Sequence, residues 1–431
     1  MLDRSVAPSL KGFDDLRFDY PQYTTLKNGV KLYVVNNGDQ EVNKFEVIYR
    51  GGLLEEQKPL QSFALASMLI HGSKDYSSND VAEFLDYNGA YLSATNADNF
   101  THISLNALNV NFKDVLPLLK SVLESPSLPE REFDVLKTQV KGAYQTARQK
   151  VKYLAQTAGR KLYFGENHPI ACVITDEMVD ALTREDVFSF HEKYYRPENM
   201  ELVLSGKVGD AEIALIDQIF GMEKVSGEPA EIVNIPRNPS NDRSVIVNKD
   251  GALQSAVYLI QEAVPRNHPD YVNLRILITA LGGYFGSRLM QNVREDKGYT
   301  YGINSMLMGR RSGSKVVIMS ECDTAYTKPL IDEVRNEIVR LQKELMCEEE
   351  LDIVKNCMLS DLAKTLDSPF SMASCVSSNL IYATGEDYFN RQVRDILAVT
   401  PEVLCDVANK YLDAEKLYVS VAGDEKQLKI S

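Results

Sequence analysis

Positions 217 residues apart in this 431-residue chain repeat one another. Thr183, Lys193, Tyr194 and Gly206 correspond to Thr400, Lys410, Tyr411 and Gly423. A second block, Glu132-Phe-Asp-Val-Leu-Lys137, matches Glu350-Leu-Asp-Ile-Val-Lys355 at an offset of 218. An offset so nearly constant points to duplication, and its length excludes a solenoid, whose units run to about 20–50 residues. A chain of this length also asks for more than one hydrophobic core. Two similar domains are therefore expected. Residues 224–243, rich in Pro, Gly, Ser, Asn and charge, read as the linker between a domain over 1–223 and a domain over 244–431.

Inside the repeat, strand and helix signals are mixed. Asn28-Gly29 is a turn signal ahead of Val30, Leu32 and Val34, and the same alternation returns at Phe45, Val47 and Tyr49, which predicts an opening strand pair. Residues 60–70 read as a buried helix stopped by Gly72-Ser73, and 80–87 as a short one. Strands follow at 90–97 and 101–108, then an amphipathic helix at 112–123. A long helical stretch covers 130–163 with a break near Val151, a further helix covers 183–195, and a strand at 200–205 closes the half. Each domain is thus expected to be α+β: a mainly antiparallel sheet with helices packed against it.

Charge narrows the functions. The net charge of −14 disfavours nucleic acid and anionic membrane surfaces as partners. No apolar run approaches the roughly 18 residues of a membrane span, and the first 15 residues show no signal-peptide core, so a cytoplasmic location is expected. The six cysteines form no CxxC pair and read as reduced thiols.

Chemistry concentrates in residues 281–305, LGGYFGSRLMQNVREDKGYTYGINS. Gly282, Gly283 and Gly286 permit positive φ or close approach of the backbone, to a substrate among other things. Ser287 is a candidate cap for a short helix whose apolar face is Leu289, Met290 and Val293. Lys297-Gly298 ends that helix, and Tyr299 and Tyr301 alternate as in a strand. The turn can bring Arg294 and Tyr301, seven residues apart, to one cleft. The plainer alternative pairs Arg294 with Glu295 or Asp296 on a solvated turn and leaves Tyr301 in the core.

The glycine pair, the Ser-Arg-Leu of residues 287–289 and the Arg-to-Tyr spacing resemble the second half of the insulinase/pitrilysin-like zinc peptidases, which include the mitochondrial processing peptidases. That family is built from paired α+β domains, so the resemblance extends over nearly the whole chain and implies the LuxS/insulinase-like metallopeptidase fold. Active members carry HxxEH on a helix of the first domain. Two His at i and i+4 bind zinc, the Glu takes a proton from the metal-bound water, and a second Glu downstream completes the ligands. Here Met68 to Ser73 match the stretch that follows the motif, which puts Phe63, Ala66 and Ser67 at its His, Glu and His positions. The distal ligand falls near Ala143, and no acidic residue lies between Asp134 and Glu166. The family's Asn-Ala pair on an edge strand falls at Ser93-Ala94, a substrate-binding position with its Asn lost. The five histidines, His71, His102, His168, His191 and His268, include no i, i+3 or i, i+4 pair from which a site could be rebuilt.

The resemblance therefore implies a chain without zinc that supplies Arg294 and Tyr301 to a homologous HxxEH subunit holding the metal. Tyr301 would donate a hydrogen bond to the developing oxyanion of a peptide substrate and Arg294 would anchor its carbonyls. The implied partners are that zinc-bearing subunit and peptides, with a monomer or a homodimer as the form in isolation. The alternative is a catalytically inactive structural or peptide-binding homologue, against which retention of the Arg and Tyr argues. A third reading, an autonomous enzyme working through another site, finds no G-x-S-x-G elbow, P-loop or dinucleotide fingerprint to support it.

Overall fold

A computed structural model of the protein describes residues 12–428 apart from 14 and 312. Most of the stretch examined for a signal peptide falls outside these residues. The first half runs β1 (Tyr23–Thr25), β2 (Lys31–Asn36), β3 (Val42–Arg50), α1 (Gln61–Met68), α2 (Ser78–Tyr87), β4 (Tyr91–Asn96), β5 (Phe100–Leu108), α3 (Asn109–Glu124), α4 (Glu130–Ala147), α5 (Val151–Phe164), α6 (Asp176–Ala181), α7 (Arg184–Tyr194), β6 (Met200–Gly206) and α8 (Asp210–Phe220). The second runs β7 (Ser244–Asn248), β8 (Gln254–Ala263), α9 (Tyr271–Ile278), β9 (Thr300–Gly309), β10 (Ser314–Asp323), α10 (Thr327–Lys343), α11 (Glu348–Lys364), α12 (Pro369–Tyr382), α13 (Tyr388–Ala398), α14 (Pro401–Tyr411) and β11 (Tyr418–Gly423).

The Asn28-Gly29 turn forms, with Gly29 at φ +94°, but it joins β1 to β2 rather than preparing β2 to pair with β3. The expected opening pair is split. β6 enters between its strands, parallel to β2 and antiparallel to β3, giving the order β1-β2-β6-β3-β5-β4. β6 is buried along almost its whole length, and a strand apolar on both faces belongs in the middle of a sheet. The second sheet has the order β7-β11-β8-β10-β9, with β7 parallel to β11, which repeats β2-β6-β3-β5-β4 strand for strand. The duplication is therefore visible in topology as well as in sequence. β4 and β9 are the matching sheet edges.

The helices do not respect the boundary between the halves. α5 begins at Val151 and α12 at Pro369, one repeat apart, and each crosses over. α5 packs on β7, β8 and β11 of the second sheet, while α12 packs on β2 and β6 of the first. The segment 224–243 contains no helix or strand, yet it is fastened down. The Asn238 and Ser240 N–H groups donate to the Phe164 and Leu162 carbonyls at the end of α5, both at 2.9 Å. Among the described residues no helix is long and apolar enough to cross a membrane, and the six cysteines are free thiols.

Lys315 on β10 lies in the crossing. Its side chain faces α5, with Nζ 5.0 Å from the centre of the Phe164 ring, and only 3% of the residue is exposed. Burial, helped by nearby Arg310 and Arg160 and opposed by Asp98, pushes its ammonium down to about 7. The folded protein thus releases a proton that the unfolded chain keeps up to about 10.5. Folding stability tied to Lys315 should rise with pH across that window, and the full penalty applies below it. Lys315→Met should stabilise the protein near neutral pH by ~1–4 kcal/mol. Thermal unfolding of variant and wild type from pH 6 to 10 checks this: the gap should narrow as pH rises.

Candidate functional site

The cleft is built by two turns and a strand. α9 runs into a π-helical turn at Thr279–Gly283, and a second such turn covers Met290–Asp296. Leu289 and Val293 are fully buried and seat the second turn on the core. Ser287 does not cap it: its hydroxyl is buried without a partner. Gly298 takes φ +64° and its N–H returns to the Arg294 carbonyl at 3.1 Å, so the chain reverses into β9 as its sequence requires.

That reversal puts Arg294 and Tyr301 on one open cleft of about 530 Å³, bordered also by Gln254, Tyr299 and Asp323. The Arg294 guanidinium lies 4.6 Å over the Phe285 ring, and its Nε is 3.3 Å from Glu295 Oε1. The plainer alternative is thus half met. Its other half is not, since Tyr301 is 92% exposed. Among the described residues the Tyr301 hydroxyl bonds to nothing. Tyr301 also borders a cavity of about 490 Å³ whose opposite wall is Lys152 and Gln156 of α5.

Gly282 and Gly283 part company. Neither takes positive φ. Gly282 is buried, and a Cβ there would stand 2.8 Å from Ser305 Oγ, so its close approach is to β9. Gly283 is exposed on the turn. Ser93 and Ala94 lie on the edge strand β4, far along the chain from the cleft. Ser93 Oγ is 2.9 Å from Ser104 Oγ, and Ala94 packs toward the first core.

At the degenerate motif, Phe63 is exposed on α1, Ala66 is buried and Ser67 is half-buried, while Ala143 is exposed on α4. These side chains offer neither imidazole nor carboxylate, and they do not fit a zinc ion. Among the described residues no group of three His, Cys, Asp or Glu comes together elsewhere. The histidines have other work: His102 Nε2 is 2.7 Å from Glu46 Oε1, and His191 Nε2 is 2.6 Å from the Leu123 carbonyl. Metal analysis of the tag-free protein should give well under one zinc per chain. A stoichiometric, chelator-removable zinc would overturn the reading of this chain as metal-free.

Sequence reasoning passed over Glu56, which sets the start of α1. Its carboxylate accepts from the Leu60 N–H (3.0 Å), the Ser62 N–H (2.8 Å) and the Ser62 hydroxyl (2.5 Å). Burial nonetheless pushes its carboxyl up. The brace holds Leu60 at φ +78°, a conformation that costs a non-glycine residue roughly 1 kcal/mol. The signal was present in the sequence as an acidic residue ahead of a helix, but the groups it accepts from lie four and six residues on rather than three.

Two family models match the chain. One, described as Insulinase (Peptidase family M16), matches residues 50–166, and one described as Peptidase M16 inactive domain matches residues 181–358. Similar curated proteins include an uncharacterized zinc protease, YmxG, from Bacillus subtilis, 21% identical over 88% of this chain and 92% of its own. Another, from Mycobacterium leprae, is 27% identical over 62% of each chain. Among solved structures, a peptidase M16 inactive domain from Pseudomonas fluorescens superposes with a TM-score of 0.85 at 21% identity, over 94% of this chain and 98% of that one. A chain of Complex III2 from Candida albicans superposes at 0.76 with 16% identity, over 95% and 96%.

Proposed function

Since the chain belongs to the insulinase-like M16 peptidase family, we propose that it is the zinc-free subunit of a heteromeric peptidase. In this reading the domains 1–223 and 244–431 form one half of a clamshell, and a homologous HxxEH subunit forms the other. The observation that carries it is the cleft where Arg294 and an exposed, unbonded Tyr301 hydroxyl stand together. A tyrosine hydroxyl with no hydrogen bond among the described residues is open to a group from outside them. The hydroxyl donates to the oxyanion of a peptide carbonyl under attack, and Arg294 holds a neighbouring carbonyl. Activation of water belongs to the partner in this reading, because Phe63, Ala66, Ser67 and Ala143 do not fit the metal and no other metal-ligating group of three comes together among the described residues.

In this reading the setting is cytoplasmic, and the net charge of −14 argues against nucleic acid and anionic membrane surfaces as partners. The scaffold reading has one observation in its favour: Arg294 is already engaged by Glu295 and Phe285. The test is reconstitution. Alone, as a monomer or homodimer, the chain should hydrolyse unstructured peptides negligibly; mixed with a zinc-bearing relative it should raise that relative's activity. If it assembles without raising activity, the scaffold reading is the better one.

A further inference from the structure

Tyr301 is exposed because β9 carries an extra residue. β10 pairs Ser320 with Ile303 and Cys322 with Thr300, so Glu321 alone stands opposite both Tyr301 and Gly302. This is a β-bulge, and a bulge re-aims the side chains it carries. The re-aiming can be read from burial. Ile303 and Ser305 are buried, and in an unbroken strand residue 301 would share their face. The extra residue turns it over. Thr300 takes the buried face, and Tyr301 and Gly302 are exposed in succession.

At 92% exposure the Tyr301 ring has few neighbours to hold it, so its direction follows the backbone of the bulge. β9 is the edge of its sheet and has β10 as its only strand neighbour. Two hydroxyls close the gap that the bulge leaves in this ladder. Thr300 Oγ1 donates to the Glu321 carbonyl at 2.7 Å and accepts from the Gly302 N–H at 3.0 Å. Ser320 Oγ donates to the Gly302 carbonyl at 2.9 Å and lies 3.0 Å from Thr300 Oγ1. Both residues are buried.

We propose that Thr300, with Ser320, is a positioning residue: its hydroxyl clasps the bulge and so keeps the Tyr301 hydroxyl turned into the cleft beside Arg294. The inference rests on the reading of Tyr301 as a donor to substrate, and adds the residue through which the chain fixes that donor. A side chain of the same shape without the hydroxyl leaves the Glu321 carbonyl and the Gly302 N–H without this partner. The two bulge residues are then free to shift, and displacement of a catalytic group by about 1 Å can cost ~100-fold in rate.

The test has two arms. The first reads position in the isolated chain. The chain contains no tryptophan, so Tyr301→Trp places a single reporter at the bulge. Its steady-state fluorescence anisotropy should fall when Thr300→Val is added and return with Thr300→Ser, which keeps the hydroxyl. Unchanged anisotropy overturns the proposal. The second arm reads rate in the complex reconstituted with a zinc-bearing relative. Thr300→Val should lower kcat ~10–100-fold with little change in KM, since Arg294 is untouched, and Thr300→Ser should restore most of the loss. In the Tyr301→Phe background Thr300→Val should cost nothing more, because the group it positions is already gone. Equal losses in both backgrounds would mark a general structural defect and overturn the proposal, as would full kcat in Thr300→Val. If Thr300→Val fails to fold, Ser320→Ala carries the same comparisons with a smaller loss, since it leaves the Thr300 bond to Glu321 in place. Full kcat in Tyr301→Phe would overturn the reading of Tyr301, and the anisotropy arm then decides the clasp by itself.

Discussion

Tyr301→Phe should lower kcat of the reconstituted peptidase by ~100-fold or more and leave assembly intact. The substitution removes one oxygen. That oxygen bonds to nothing among the described residues, and the ring is 92% exposed, so no folding interaction is lost with it. Any loss of rate then reports what the hydroxyl does to substrate carbonyl in the complex. Arg294→Ala should differ in kind. It removes the contact with Phe285 and the pairing with Glu295, and it also removes an anchor for the ground-state peptide, so KM should rise along with the fall in kcat. If both groups hold one carbonyl, the two losses should not add. Measured as kcat and KM on the assembled complex, full retention of kcat in Tyr301→Phe would make the pair structural and leave the scaffold reading standing.

How far the fold could be read depended on the range of the interaction that produced each part. Elements written in local chemistry were legible. Gly298 closes the turn after Arg294, and the long helix breaks between Ala147 and Val151. The duplication was legible because it needs only a constant offset. Pairings over long range were not. Alternation at Phe45, Val47 and Tyr49 shows which face of β3 is apolar, but it carries no information about which strand lies beside it, and β6 arrives from about 150 residues away. Gly282 was legible as a close approach but not as an approach to Ser305. The candidate site divides in the same way. Arg294 and Tyr301 lie within one turn and their meeting follows from it, whereas the bulge that exposes Tyr301 depends on how β9 meets β10, and no local pattern announces it.

The crossing of α5 is the part of the fold least visible in the sequence, and two glycines test it. Gly142 is exposed on α4, and a Cβ there would meet nothing within 4 Å. Gly142→Ala should stabilise by ~0.5–1 kcal/mol, because alanine loses less backbone freedom in a helix interior. Gly159 on α5 carries the same helix preference for alanine, but its Cβ would stand 2.6 Å from Tyr258 Cδ1 on β8 and 3.3 Å from Ser420 Cβ on β11. Tyr258 is 5% exposed and packed in the core between α5 and the second sheet, so its ring can shift only by disturbing packed neighbours. The overpacking term, ~1–3 kcal/mol, outweighs the gain in propensity. Gly159→Ala should therefore destabilise, and Gly159→Val should do so by ~3 kcal/mol, since it adds β-branched bulk against the same ring. Urea midpoints with unchanged slope measure both. The opposite signs at two helical glycines of the same half are the signature of a helix that belongs to the other half's sheet. Should Gly159→Ala prove as stable as Gly142→Ala, α5 does not press on β8 and β11, and the exchange of helices between the halves is wrong.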